Sequence, residues 1–523
     1  MIYLAGENNL AEECIYALKE MKRAAPRPGP DGRLRGGNVD EQVKVVAQLD
    51  AGGLGGDESR YVLTRGDRDG FLNKDRVTKR DTSETTYRGV LKDFISSSIT
   101  LGGLAEKYLL ILSGHGDGVI SDFLSRDADA TNNLSIPKLK WVLGEVKQDL
   151  TEEFGRQEGD RFKIDVLGLD SCMMSMAEIG YELREYANYM VGAEGFEPNT
   201  GWPYERILTE ILSEPGATTP KDLAVKIVEK YIAYYSDFLP AGRSVDQAAC
   251  DLSKCDALAG AVRTLAAVLT EKLSDPESMR HIVLAHWEAQ SYKDDQYVDL
   301  YDFCDLLHRG ASGNAATGSV VMRDAAVDPH IVEACRAVKE VLQPEPGRGG
   351  AAAPEGMVLK SCFSGPAVQF SHGLSVYFPW SNVIDSYKDL DFAHDTNWND
   401  FLLKYVDLTR RRRRPCPSDP EAETQKGELF FNPSLSGFDF LLTTNKDSPK
   451  VSRILSNKVG SMKNPALEYV PCDCEPNGDG GSASADELDA DTTSLSSGTS
   501  QKRPSKRASK NGSKGASKAT RKR

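Results

Sequence analysis

The chain has 523 residues, 40% of them hydrophobic, with a formal net charge of −14. That size exceeds one small core and predicts about two folded units plus linkers. The acidic balance excludes a protein whose whole surface binds nucleic acid or anionic membrane, so any polyanion contact must be local.

From Met1 to about residue 191, strand-like apolar runs alternate with helical patterns, the signature of a parallel sheet covered on both faces. Strands are expected at 1–5, 43–49 (VKVVAQL), 59–65, 107–114, 164–170 and 189–194. Between them, Leu10, Cys14, Leu18 and Met21 mark one helix face, Tyr87, Leu91 and Ile95 a second, and Ile136, Leu139 and Val142 a third. From about 202 to 406 the chain turns mainly helical, with helices expected at 204–213, 220–236, 253–273 and 297–308 and strand islands at 245–250 and 373–378 (GLSVYF). Residues 343–356 (QPEPGRGGAAAPEG) form a loop by Pro and Gly content. Beyond 471, Ser, Gly, Asp and Lys dominate, so no core can form and disorder is expected; the tail is acidic at 479–491 and basic at 501–523.

Two strand ends carry the chemistry. YLLILSG at 108–114 runs straight into His115, and IDVLGLDS at 164–171 runs straight into Cys172. Ligands of open α/β sheets bind outside the carboxyl ends of the strands, so these two side chains can face one crevice. A thiol needs a base, a cation or a helix N-terminus to become a nucleophile at neutral pH. The pattern MMSMAEIGYELREYA predicts a helix beginning right behind Cys172, aiming its N–H groups at the sulfur. His115 sits between glycines, which permits close approach of substrate to the main chain. The N–H groups of Gly116 and Cys172 are natural oxyanion donors, with Cys172 attacking a carbonyl and His115 handling the proton of the leaving amine. Taken singly, a Cys beside Met is usually core and a His in a Gly turn usually a loop residue; their coincidence at adjacent strand ends carries the reading.

Ile2-Tyr-Leu-Ala-Gly-Glu-Asn-Asn-Leu10, the segment from Tyr108 to Gly116, Leu169-Asp-Ser-Cys172-Met-Met-Ser-Met, Glu197-Pro-Asn-Thr-Gly-Trp202-Pro-Tyr204, Asp251-Leu-Ser, Tyr297-Val-Asp-Leu-Tyr-Asp-Phe303 and Gly373-Leu-Ser-Val-Tyr-Phe-Pro379 together resemble the clostripain family of cysteine peptidases, in the clan of caspases, gingipains and legumain. The resemblance covers most of 1–408. It implies a caspase-like α/β/α sandwich with a mainly parallel sheet, divided as a catalytic core at 1–201, a helix-rich extension at 202–408 completing the peptidase unit, a linker with an uncertain, partly ordered segment at 409–470, and the tail at 471–523. It also implies cleavage of protein or peptide substrates after Arg or Lys by a His115/Cys172 dyad, with self-cutting in a loop. Arg126 and the basic stretch 153–163 are the candidate cuts. Asp170 matches the family's acid two residues before the nucleophile and is the candidate floor of a pocket for a cationic P1 side chain; its bland reading is a cap on the following helix. Asn199-Thr200 stands where the family often has a second pocket acid, which weakens the expected Arg/Lys preference. Ser113 is a further departure, altering the pocket wall.

The chemistry needs no cofactor. The resemblance implies frequent calcium dependence, for which Asp117, Asp122, Asp127 and Asp129 are nearby oxygen donors without EF-hand spacing, so no metal ligand is named. The ten cysteines are too sparse for a disulfide scaffold, and Cys14, Cys304 and Cys335 read as buried and reduced. Gly52 to Gly56 lacks nucleotide-loop spacing, and Cys472-Asp-Cys474 is a poor zinc site. No stretch approaches the roughly 20 apolar residues that span a bilayer. Met1 opens directly into MIYLAG without a signal-peptide pattern, which predicts a cytoplasmic chain by default, although a strand this close to Met1 looks clipped. No specific nucleic-acid partner is expected; the arginine run 410–414 and the basic tail are the local polyanion candidates. The rival reading is a catalytically silent caspase-like module that contacts partners through that tail.

Overall fold

The computed structural model describes residues 1–24, 43–50, 59–63, 76–79, 87–100, 104–120, 123–124, 134–213, 218–236, 244–293, 295–310, 326–344, 354–380 and 382–411. The expectations for Gly52 to Gly56, Arg126, Asp122, Asp127, Asp129, Cys472, Cys474 and the tail lie outside these residues.

Among the described residues, nine strands form one sheet in the order β11-β8-β7-β6-β5-β1-β2-β3-β4. They are β1 (Ile2–Ala5), β2 (Val46–Asp50), β3 (Ser59–Val62), β4 (Arg76–Lys79), β5 (Leu109–Ser113), β6 (Ile164–Asp170), β7 (Ala187–Gly192), β8 (Val245–Asp251) and β11 (Val358–Ser364). The five central strands, β2-β1-β5-β6-β7, are parallel, and antiparallel pairs finish both edges. β9 (Ser291–Tyr292), β10 (Tyr297–Asp299) and β12 (Ser375–Tyr377) make a second, three-stranded antiparallel sheet.

Alternation along the central strands explains the layers. Tyr3, Leu110 and Leu112 enter one apolar core, and Ile2, Leu4 and Ile111 enter another on the opposite face. Helices Tyr87–Thr100 and Ile136–Phe154 cover the first face; helices Ala11–Ala24, Tyr204–Ser213 and Pro220–Ser236 cover the second. The result is an α/β/α sandwich. Ile136–Phe154 starts where the sequence provides for it: the Ser135 side chain accepts from the Lys138 N–H and proline occupies the first turn.

The helices at 204–213, 220–236 and 255–272 follow the sequence reading, as do strands β1, β5, β6 and β8. Several features depart from it, among them the helix expected at 297–308, which opens as strand β10 before a helix at Leu300–Arg309. β11 is an edge strand that periodicity did not reveal, because most of its side chains are only half-buried. Helices Pro276–Glu288 and Pro329–Leu342 were not anticipated either. The 153–163 stretch, expected to be an exposed loop, is largely helical, with Arg156–Arg161 as a short helix. The helix after Cys172 spans Ala177–Leu183, not the residues directly behind the thiol. Met173 takes a left-handed backbone, φ 58°, which no α-helix accommodates.

Gly168, in the middle of β6, is required by close approach: a Cβ there would stand 2.9 Å from the buried Trp202 ring and 3.0 Å from Ile111. Gly168→Val is therefore expected to overpack this face and destabilise the fold by about 2 kcal/mol, read as a lower urea midpoint with unchanged m-value. An unchanged midpoint would show that Trp202 is free to move.

Candidate active site

Strand register builds the site. β5 and β6 run parallel with Ser113 opposite Asp170, and the Gly114 N–H donates to the Asp170 carbonyl at 3.2 Å. His115 and Cys172 each lie two residues beyond that last matched pair, so the two chains leave the sheet at the same level. Both residues line one open cleft together with Asp170, Glu197, Ser113 and Cys14. The two turns nearly touch: a Cβ on Gly116 would lie 2.5 Å from the Cys172 carbonyl oxygen and 2.8 Å from Ser171 Cβ. Glycine at 116 is therefore the condition for bringing the His115 turn against the Cys172 turn.

The sulfur is served by backbone, not by a helix N-terminus. With the helix beginning only at Ala177, the Glu197 N–H is the donor that reaches Cys172 Sγ, at 3.3 Å. Burial nevertheless pushes the Cys172 thiol up, the Glu197 N–H opposes this, and Asp170 and Asp117 add to the rise. Cys14, the other thiol in the cleft, is pushed to about 12 by burial and by Asp170, Glu13 and Asp50, which leaves it inert as a nucleophile.

His115 has a partner that sequence reasoning missed. Asn9, in the loop after β1, places Oδ1 2.6 Å from His115 Nε2. An amide oxygen only accepts, so in this contact His115 Nε2 donates its hydrogen to Asn9. The turn after His115 is also fixed. Tyr297 donates its hydroxyl hydrogen to the Asp117 carbonyl and accepts the Ile120 N–H at 3.1 Å. The Asp117 carboxylate pairs with Lys293 at 2.7 Å. That pairing takes the one described member of the suggested calcium donors, and among the described residues no cluster of three metal-ligating side chains forms.

Asp170 is buried at the bottom of the cleft and does not cap a helix. Its Oδ2 accepts the Tyr204 hydroxyl at 2.6 Å, and Gly201, at φ 66°, lies so close that a Cβ would stand 2.9 Å from that oxygen. No donor in good hydrogen-bond geometry reaches its other oxygen, Oδ1, or Oε2 of Glu197, although the Tyr204 and Ser113 hydroxyls, the Glu197 carboxyl and the Trp202 N–H all act to lower the Asp170 carboxyl. Glu197 faces Asp170 and accepts the Trp202 indole N–H at 3.2 Å. Burial raises both carboxyls, Glu197 strongly, and Asp170 raises Glu197 further.

The clostripain family model matches residues 2–405. The chain belongs to the clostripain family. These are C11 cysteine peptidases, a class of hydrolases. Clostripain of Hathewaya histolytica is 24% identical over 377 residues, a match spanning 61% of this chain and 66% of that protein, just under two thirds of its length. A secreted C11 cysteine protease of Bacteroides thetaiotaomicron, solved with an irreversible peptide inhibitor, shares the fold at TM-score 0.51 and 17% identity, over 76% of this chain and 98% of that one. An inactive zymogen C11 protease of Parabacteroides distasonis is similar at TM-score 0.48 and 17% identity, over 76% of this chain and 96% of that one.

In this member of the clostripain family the second carboxyl of the cleft comes from Glu197, two positions before Asn199. The motif Glu197-Pro-Asn-Thr-Gly-Trp202 contained the signal, because an acid followed by proline leads into the buried tryptophan it bonds. With its thiol raised by burial, Cys172 holds its proton more tightly than a free cysteine does. Iodoacetamide labelling of Cys172 is thus expected to accelerate with pH through a midpoint above the ordinary thiol value of about 8.5. A plateau already reached below about pH 7 would instead show a preformed thiolate–imidazolium pair.

Proposed function

We propose that this chain is a cysteine endopeptidase that hydrolyses peptide bonds after Arg or Lys through a Cys172 acyl-enzyme. The observation that supports this reading best is the matched exit of β5 and β6, with His115, Cys172 and the buried Asp170 lining one cleft. Cys172 Sγ attacks the substrate carbonyl while its proton passes to His115, which then protonates the leaving amine; water hydrolyses the thioester in the second half. The N–H groups of Gly116 and Cys172 receive the negative charge that develops on the carbonyl oxygen. Asn9 holds the imidazole by accepting its Nε2 hydrogen.

The cleft floor supports cationic P1 selection. The two carboxyl oxygens that no donor reaches in good geometry, on Asp170 and Glu197, are acceptors that a guanidinium or ammonium group would satisfy, and a cation between them would relieve their mutual repulsion. No calcium step is needed for this chemistry. Self-processing between His115 and Cys172 belongs to the same proposal, with Arg126 as its candidate; a cut within 153–163 would first require unwinding helix. If it occurs, intact-mass measurement gives fragments from wild type and the full-length chain from Cys172→Ala; if it does not, both give the full-length chain.

Fluorogenic peptides ending in Arg, Lys, Asp and Asn test the proposal. Turnover is expected with Arg and Lys only, abolished in Cys172→Ala and reduced about 100-fold or more in Asp170→Asn. No Cys172-dependent turnover on any peptide would favour the silent binding module. A pH dependence follows from the raised carboxyls. A cation binds their ionised form, so kcat/KM for the Arg peptide should fall as pH drops, on an acid limb lying above the ordinary carboxylate range of about 4. Glu197→Gln removes the neighbouring charge and should move that limb to lower pH; an unmoved limb would show that the two carboxyls do not act together.

A further inference from the structure

Behind the nucleophile lies a second group of acids that the mechanism above does not use. Glu194, Asp246 and Asp299 are each at most 1% exposed. Among the described residues, the only cationic side chain paired with any of them is His372, whose Nδ1 lies 3.4 Å from Asp299. Three dry carboxyls facing one another with a single imidazole cannot all be ionised.

Their hydrogen bonds lead directly to Cys172. Asp246 accepts the N–H groups of Glu194 and Gly195 at 2.7 and 3.0 Å, and Glu194 Oε2 accepts the Gly373 N–H at 2.7 Å. Asp299 accepts the Asp302 N–H at 2.7 Å and the His372 N–H; Glu194 Oε1 accepts from no donor, and Asp299 is the neighbouring carboxyl that acts on it most strongly. The loop fixed in this way supports the nucleophile turn. The N–H of Met173, in its left-handed conformation, donates to the Gly195 carbonyl at 2.9 Å, and that of Ser175 donates to the Ala193 carbonyl at 2.8 Å. The Ser175 hydroxyl reaches the Gly373 carbonyl at 2.7 Å, and two residues beyond Gly195 the Glu197 N–H reaches Cys172 Sγ. A left-handed methionine is strained and persists only where its surroundings over-determine it.

We propose that Glu194 is a positioning residue for the nucleophile: a neutral carboxylic acid that donates a hydrogen bond to Asp299, accepts the Gly373 N–H, and so holds the 193–197 loop to which the Cys172 turn is strapped. Burial, Asp299 and Asp246 together raise the Glu194 carboxyl well above its ordinary value. Asp246 is raised to about 6, and Asp299 raises His372 to about 8. Burial raises Tyr292 and Cys250, which also face the group; Glu194, Asp246 and Asp299 add to the rise at Tyr292, and Glu194 and Asp251 to that at Cys250. Asp302 adds its charge on the His372 side.

Glutamine at 194 keeps the shape, the donor and the acceptor but cannot ionise. A group whose folded pKa is raised contributes stability that is lost as pH rises from its unfolded value of about 4.3 toward its folded one. In a Cys172→Ala background, the melting temperature of Glu194→Gln relative to its parent should therefore climb steadily from about pH 5 to pH 8. A difference that stays flat, or that turns against the glutamine as pH rises, would show an ionised Glu194 and overturn the proposal. This arm does not depend on peptidase activity.

The kinetic arm rests on the function proposed above. In the active chain, Glu194→Gln should keep kcat within about threefold, whereas Glu194→Ala should lower kcat about tenfold or more with KM within about twofold, since misplacing a nucleophile penalises the transition state. A glutamine variant that is folded but as slow as the alanine variant would contradict the neutral-donor role.

Discussion

The site depends on the register between two parallel strands. Ser113 opposite Asp170 is a backbone fact, and a slip of one residue would turn every side chain of β6 to the other face and separate His115 from Cys172. The register is locked from both sides: Leu110 and Leu112 alternate with Ile111 into separate cores, and Gly168 admits the Trp202 ring on one face only. Thus the same apolar packing that stabilises the sheet sets the level at which the two reactive turns emerge.

Beyond the strand ends, close backbone approach replaces side-chain scaffolding. Gly116 lets the histidine turn reach the nucleophile turn, and Gly201 lets the 197–204 segment close over Asp170. What these approaches create is a site rich in unpaired acid. Asp170 and Glu197 at the cleft floor, and Glu194, Asp246 and Asp299 behind it, carry burial costs that hydrogen bonds only partly offset. The two groups differ in use. The front pair has oxygens in the cleft that no donor reaches in good geometry, suited to a cation that arrives with substrate. The rear group lies outside the cleft, and backbone N–H donors bind each of its members, with Glu194 Oε1 alone left without an N–H donor; it is suited to holding a loop still.

Much of this was legible in the chain. Apolar runs ending at His115 and Cys172 located the strands, because fully buried parallel strands read as continuous hydrophobic segments. Helix faces at Leu10, Cys14, Leu18 and Met21, and at Ile136, Leu139 and Val142, were legible for the same reason: one side of each helix is buried in the sandwich. Asn9 was not, since a polar residue 106 positions from His115 shows no periodicity that would link the two. The late start of the helix after Cys172 was hidden because MMSMAEIGYELREYA is helical by composition throughout. Tertiary contacts to Ala193 and Gly195 override that preference at Met173 to Ser175. β11 escaped notice because an edge strand facing half into solvent carries too little apolar alternation.

The central claim is that register brings His115 and Cys172 together above an acid floor. A peptidyl arginyl ketone that alkylates thiols, followed by peptide mass mapping of the full chain, tests it most directly. The account predicts a single adduct on Cys172, formed with wild type, lost in His115→Ala and strongly slowed in Asp170→Asn. An adduct shared among Cys172, Cys14 and Cys362, or one formed equally fast by the corresponding aspartyl ketone, would contradict it.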